Sequence, residues 1–576
     1  MKSRWLTAQS LLIPIFGALL TVPMTYGQRS LRQIMAKRPP RLVVVVVIDQ
    51  FRADYLTRFN DLFLPHDPAS YEASMGGFRL LMQDGAWFVN AHLQFVPTFT
   101  GPGHAVIATG SPPSVNGIIA NRWYNEATEQ VVDCVRTPAY SPVRAYSFQP
   151  GAAPSALLVT TLGDELRMTT GGQSRVVSIG FKDRAAVLMG GHIPTAVLWY
   201  DDNNGEWISS SYYTDPDDLY PWARELNEKR IVDDHFRRSW ELDPQINDRT
   251  SQHAISPVPW CNPPAGFGFT FPHQLIGNLE KDALFYQSFA LTPFANAHLF
   301  DTAKAVINAE QLGANDVPDL LWLSLASNDY VGHIFGPYSL EVVDITVKTD
   351  RQLADFFRFL DRTVPGGIDE VLVVLTSDHG IAPAPPDNPR LGQQLSWVSS
   401  KELIKAADAA LDEKFGDTKW VSAFVKPNLY FKSKTIRKSL LDPAAVQTTA
   451  AAAMMRLPSV MYAFTRSQIM NGRLPPTAAA EAVYHGFHPD RSGDVVVVLG
   501  PGWQFSGAVA GRTYHGSPFP YDTHVPILMR GPGVQAGIYP RRVALRDIAP
   551  TLALILGITA PSGSVGDVLT EAVKIE

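Results

Sequence analysis

Asp49, Asp329, His333, Asp378, His379 and His515 are spaced through the chain in a way that suggests shared chemistry. Asp329 and His333 fall in SNDYVGHIFGP, Asp378 and His379 in TSDHG, and His515 in TYHGS. Imidazole and carboxylate together, without thiolate, suit zinc or another borderline divalent cation. Six donors are more than one tetrahedral ion takes. They suit two ions about 3.5–4 Å apart, the spacing used for in-line displacement at phosphorus. Taken singly, each Asp is more simply a turn or helix-cap residue; only the joint pattern points to metal. The two cysteines, Cys134 and Cys261, are too few for a thiolate site of the usual count. In an oxidising compartment they could pair, which the sequence does not decide.

A nucleophile candidate lies in FVPTFTGPGHAVIATG. Thr100 precedes Pro102 and Gly103 and an apolar helical start, so it sits at or just before a helix N-terminus. Free amides and the helix dipole there favour an anion. A threonine hydroxyl is a weak nucleophile at its own pKa, and a dication beside it would change that. In isolation Thr100 reads as an N-cap. His104, early in the same helix, reads as a structural or supporting residue rather than a ligand.

These residues need elements to bring them together. Leu42–Ile48 (LVVVVVI), directly before Asp49, is a continuous apolar run, as expected for a strand covered on both faces of a parallel α/β sheet. Leu320–Leu325, Val371–Leu375 and Val495–Leu499 are of the same type, and Val525–Met529 is a further expected strand. Val342, Ile345, Leu353, Phe356, Phe357 and Leu360 recur at helical spacing before Val371, giving a strand–helix–strand unit. Asp547–Gly557 reads as a helix with Pro550 near its start and Gly557 at its end. The fold class is α/β, with acidic and His residues at the carboxyl ends of strands, where open sheets bind ligands. Two stretches rich in Pro and aromatic residues, about 125–315 and 383–490, read as insertions forming a cap on one catalytic unit spanning 28–576.

The chain has 576 residues, 45% hydrophobic and 18% charged, a composition that supports a large core. Its net charge of −6 argues against a nucleic-acid footprint. It does not exclude anionic substrates, because metal ions and a few basic side chains can reverse the field in a pocket. Lys2 and Arg4 followed by the apolar Leu11–Val22 predict a signal peptide over 1–27, with a periplasmic or secreted mature protein. An uncleaved N-terminal anchor is the other reading. No later stretch predicts a membrane span. The sequence does not fix the oligomeric state; a monomer is the expectation.

Seven motifs, in order VVVVVIDQFRADYL, FVPTFTGPGHAVIATG, GIIANRWYN, SIGFKDRAAVLMGG, SNDYVGHIFGP, TSDHG and HGSPFPYDTHVPI, carry a likeness that extends over nearly the whole mature chain. Together they resemble the alkaline phosphatase superfamily, in its bacterial threonine-nucleophile branch. The resemblance implies an alkaline-phosphatase-like α/β sandwich and a zinc-dependent phosphomonoesterase acting on a broad range of small-molecule phosphate monoesters. It implies two Zn2+ ions, one held by Asp49, Asp378, His379 and Thr100, the other by Asp329, His333 and His515. Thr100 would attack phosphorus to form a phosphothreonine, hydrolysed by water activated at the second ion. Asn121 would donate to a phosphoryl oxygen. Lys182 and Arg184, two apart in what reads as an extended segment, would contact the non-bridging oxygens of a terminal phosphate. Without the surrounding motifs, that pair reads equally well as a solvated turn. The final His ligand is either His515, in a Gly-containing loop, or His524, next to the Val525 strand; the loop position favours His515. A phosphodiesterase or nucleotide pyrophosphatase of the same superfamily is the nearest alternative. A sulfatase, which needs Cys or Ser where Thr100 stands, fits less well. A non-catalytic exported metal-binding protein on this fold is the alternative from another class.

Overall fold

The computed structural model describes residues 39–574, apart from 68, 70–73, 145–148, 248–253, 255–257, 259, 278–279, 386–395 and 508–511. The expected signal segment 1–27 lies outside the described residues. Leu42–Ile48 forms an interior strand of an 11-stranded sheet, with every residue buried. It pairs in parallel with Asp319–Leu325 on one side and Val371–Thr376 on the other. Val176–Gly180 and Ala196–Tyr200 extend the parallel set. His524–Arg530 flanks it in antiparallel register, and Ala86–His92 pairs antiparallel with that strand in turn.

Both faces of this sheet are covered, which is why its strands read as unbroken apolar runs. Val44, Val46, Leu321 and Leu323 pack under the helices Pro293–Glu310 and Leu340–Thr363. Val43, Val45, Val47 and Trp322 pack against the helices Thr100–Thr109 and Ile548–Leu556. The last of these ends on Gly557 at φ 69°, the left-handed C-terminal turn that glycine adopts at no steric cost.

Two expectations about strand placement are corrected. Val495–Leu499 is not in the main sheet. It lies in a four-stranded antiparallel sheet with Val421–Val425, Asn428–Phe431 and Val460–Thr465. Val495, Val497 and Leu499 face one apolar cluster while Val496 and Val498 face another. A strand buried on both sides has the same run of valines whichever sheet it joins. Conversely, the stretch 125–315, expected as cap, contributes Val176–Gly180 and Ala196–Tyr200 to the main sheet. Those strands are only five residues long and carry no periodicity that stands out from the surrounding loops.

Four parallel strands end almost level, with Ile48 opposite Leu325, Val47 opposite Thr376 and Ser324 opposite Gly180. Asp49, Asp329, Asp378 and Lys182 follow those ends within four residues, so one edge of the sheet collects them. Cys134 and Cys261 are both free and buried, in separate apolar clusters. Among the described residues no helix is long and apolar enough to cross a membrane.

Candidate active site

At that edge two groups of potential metal donors converge. Asp49, Asp378 and His379 place one ligand atom each within 4.8 Å of one another, and so do Asp329, His379 and His515. The first group matches the set read from sequence, apart from Thr100. In the second, His379 stands where His333 was expected, while His333 adjoins through Asp329, with Nε2 3.2 Å from Asp329 Oδ1. Asp329 and His333 lie four apart on the helix Ser327–Phe335, which puts both on one face. The His515 ring stacks on that of His379 with centroids 3.6 Å apart, and its Nδ1 lies 2.6 Å from Thr98 O. His524 is elsewhere: Nε2 bonds Val89 O at 2.9 Å and its ring stacks on His92. The geometry therefore brings His515, not His524, to the cluster.

The electrostatics of this cluster call for a cation. Asp49 Oδ1 is buried without a hydrogen bond, and Asp378 Oδ2 has only the imidazole nitrogens of His104 and His379 near it, at 3.2 and 3.3 Å. Buried anionic oxygens are costly unless a cation or donor meets them. Burial, reinforced by Asp329 and Asp378, pushes the Asp49 carboxyl well above its ordinary range, with Lys182 opposing. Burial also acts to raise Asp329, but the His333 and Lys182 charges hold it well below that range. His515 is held well below the usual imidazole value by burial and then by His379 and His333. His379 is lowered by burial, against Asp378. Depressed imidazoles are neutral at physiological pH, the form that ligates metal. The donor set therefore fits a divalent cation in each group.

Thr100 is the first residue of its helix, and Phe99 occupies the N-cap with no side-chain cap bond. The cap reading of Thr100 is thus replaced by a hydroxyl free for other work. Its Oγ1 lies 3.5 Å from His379 Nε2. Gly103, one turn on, is pressed against Asp378: a Cβ there would overlap the Asp378 backbone, so glycine lets the helix approach the ligand strand. His104 supports the site as expected, with Nδ1 2.9 Å from Thr100 O and 3.2 Å from Asp378 Oδ2, and Nε2 3.0 Å from Ser324 Oγ. Asn121 accepts the Gly101 N–H through Oδ1 at 2.7 Å, which holds its amide beside Thr100.

Lys182 and Arg184 are not in one extended segment. Lys182 is the N-cap, in extended conformation, of the helix Asp183–Gly190, and Arg184 is in its first turn. Lys182 Nζ donates to Asp49 Oδ2 at 2.6 Å and to Asp329 Oδ2 at 2.5 Å, bridging the two groups. Arg184 takes no part in that bridge: its Nε is buried and unbonded, and its guanidinium lies 3.9 Å from Asp183 Oδ1. Asp183 accepts from Arg136 at 2.6 Å and from the Arg184 N–H at 2.7 Å, which fixes the start of this helix. Lys182, Arg184, Tyr330 and His333 share the wall of a cavity of about 420 Å³ with Phe181, Trp199 and Tyr200.

Three polar residues at the site were not picked out from the sequence. Gln50 contacts Asp378 and Asp329. Asn328 Nδ2 donates to the carbonyls of Asp49 and Gln50, both at 3.1 Å. Asp522 accepts the Gly516 and Ser517 N–H groups at 3.0 and 2.8 Å, fixing the loop just after His515. Gln50 and Asn328 directly precede or follow residues that were picked out, which is the only signal that could have found them.

Comparison with known proteins is consistent with this geometry. A family profile for type I phosphodiesterase / nucleotide pyrophosphatase matches residues 43–519. Alkaline phosphatase PafA of Elizabethkingia meningoseptica is 33% identical over 561 residues, covering 96% of this chain and 98% of the relative. Alkaline phosphatase PhoV of Synechococcus elongatus is 34% identical over 538 residues, with 93% of each chain covered. The crystal structure of wild-type PafA superposes with a TM-score of 0.85 over 94% of this chain and all of that one.

Proposed function

The chain belongs to the type I phosphodiesterase / nucleotide pyrophosphatase family, within the alkaline phosphatase superfamily, and from that premise we propose that it is an exported zinc-dependent phosphomonoesterase of broad substrate range. The observation that carries this reading is the Thr100 hydroxyl at a helix N-terminus, 3.5 Å from a histidine common to both donor groups. Asp49, Asp378, His379 and Thr100 would hold one zinc ion, and Asp329, His333 and His515 the other. When bound, the two ions would supply Lewis-acid stabilisation of charge on oxygen and lower the pKa of the nucleophile.

The chain's own residues do the rest. Thr100 Oγ1 attacks phosphorus, forming the P–O bond of a phosphothreonine as the ester's leaving oxygen departs; water then cleaves that bond and frees phosphate. The positive end of the Thr100–Thr109 helix dipole lies at Thr100 and favours negative charge on the reacting oxygens there. Asn121, positioned by the Gly101 N–H, donates to a phosphoryl oxygen. Arg184 and Lys182 favour the dianionic terminal phosphate of a monoester, since a diester offers less charge and an extra substituent. The aromatic and polar walls of the 420 Å³ cavity accommodate varied organic leaving groups.

Lys2, Arg4 and the apolar Leu11–Val22 support export to the periplasm or beyond. We read 28–576 as one catalytic unit acting as a monomer, its cap built from about 383–490 and from the parts of 125–315 that lie outside the main-sheet strands. The deciding experiment compares rates on an aryl phosphate monoester and its diester with purified protein. Preference for the monoester is expected; preference for the diester would replace this reading with a phosphodiesterase.

A further inference from the structure

Gln50 follows Asp49 at the end of the Leu42–Ile48 strand and is fully buried. Its φ of +65° lies in the left-handed region, where Gly or Asn is usual and a longer side chain uncommon. A glycine would adopt this turn freely. What glutamine adds is reach. Its backbone N–H donates to Asp378 Oδ1 at 3.1 Å, and its side-chain Nε2 donates to Asp329 Oδ1 at 2.6 Å. An ionised carboxylate only accepts, so the amide's NH2 must face Asp329. Asp378 belongs to one donor group and Asp329 to the other. The helix that carries Asp329 is shaped around this contact: a Cβ on Gly332 would overlap Gln50 Oε1. Asn328, on the same helix, ties the Gln50 carbonyl from the other side.

We propose that Gln50 is a positioning residue that couples the two donor groups, fixing the Asp329 carboxylate relative to Asp378 so that each group would be oriented to hold its ion. The proposal rests on the two-metal reading above and adds to it the residue that sets the register between the sites. A ligand's outer hydrogen-bond partners orient it and tune its affinity for metal; here one residue performs that role for both groups.

Two variants of the full chain separate the hydrogen bond from the backbone. Gln50→Gly keeps the N–H to Asp378, frees the left-handed turn and deletes the donor to Asp329. Gln50→Met keeps the bulk and the backbone strain but lacks the donor. Zinc is titrated into chelator-stripped protein in competition with a chromophoric chelator, which resolves two affinities. In both variants one zinc should bind as in wild type while the other weakens about 10–100-fold. Wild-type affinity at both sites, or parallel weakening of both, would overturn the proposal. Wild-type protein binding fewer than two zinc ions would overturn the two-metal reading itself, and this inference with it.

Discussion

The Thr100 hydroxyl oxygen stands 3.5 Å from His379 Nε2, at the first residue of a helix capped by Phe99. With Phe99 at the N-cap, Thr100 has no capping role, and its hydroxyl stands beside an imidazole of the donor cluster. Thr100→Ala should therefore keep close to its full metal content, because Thr100 offers one weak donor among several strong ones. Turnover of an aryl phosphate should fall by at least about 10³-fold. A variant that keeps most of its rate would remove Thr100 as nucleophile.

Arg184 lines the cavity of about 420 Å³ without sharing in the Asp49–Lys182–Asp329 bridge. Arg184→Ala should lower kcat/KM for a monoester about 10–100-fold, the loss of one or two charge-assisted hydrogen bonds. The diester rate should fall much less. Equal losses for both substrates would place Arg184 outside phosphate recognition.

Lys182 has a second consequence. Its ammonium compensates two buried carboxylates at once, and removing one member of a buried ion cluster leaves the rest uncompensated. Chelator-stripped Lys182→Ala should be about 3–5 kcal/mol less stable than stripped wild type in urea unfolding. Zinc should recover much of the difference, since cations at the two groups meet the same oxygens. A stripped variant as stable as wild type would mean the bridge contributes nothing.

Chelation should abolish phosphatase activity and lower the unfolding temperature, because Asp49 Oδ1 and Asp378 Oδ2 then have no cation beside them. Zinc should restore both. Activity that survives exhaustive chelation, checked by elemental analysis, would rule out the metal mechanism.

Burial lifts the Asp522 carboxyl from 3.8 to about 7, against the hydrogen bonds from Ser517 and Gly516. A carboxyl raised on folding contributes stability that is fully present below its unfolded value and lost as pH rises to its folded one. Wild type should lose that contribution between about pH 4 and 7 and show no further change from this group above 7. Asp522→Asn cannot titrate, and its Oδ1 can still accept the loop amides. Its stability relative to wild type should rise by about 2–3 kcal/mol from pH 5 to pH 8, read from urea unfolding. A difference that does not vary with pH would show that Asp522 is ionised throughout.

Much of the site was legible before the fold, through residues next to unmistakable strands. Asp49 and Asp378 follow runs of buried valine and leucine, and such a run marks both the strand and the edge where ligands gather. Asp329 and His333 were legible for the same reason, although their helix was not. Lys182 and Arg184 were found as a pair, but their placement at a helix start was missed because Lys-Asp-Arg has no periodicity of its own. Val495–Leu499 was recognised as a strand and assigned to the wrong sheet, since burial on both faces erases the alternation that tells sheets apart.

By itself the sequence determined the long apolar strands, the helices Leu340–Thr363 and Ile548–Leu556, the strand ends that carry the acidic residues and the donor chemistry, because each depends on the period and residue types of a short segment. Tertiary structure placed His515, already favoured by its loop position, in the cluster rather than His524, and it alone decided that Lys182 bridges Asp49 and Asp329 and that Gln50 spans two donor groups. Those contacts link residues 133 to 328 positions apart. Nothing in a local pattern encodes which distant segment will face it; that follows only when the buried faces of the whole sheet have been packed.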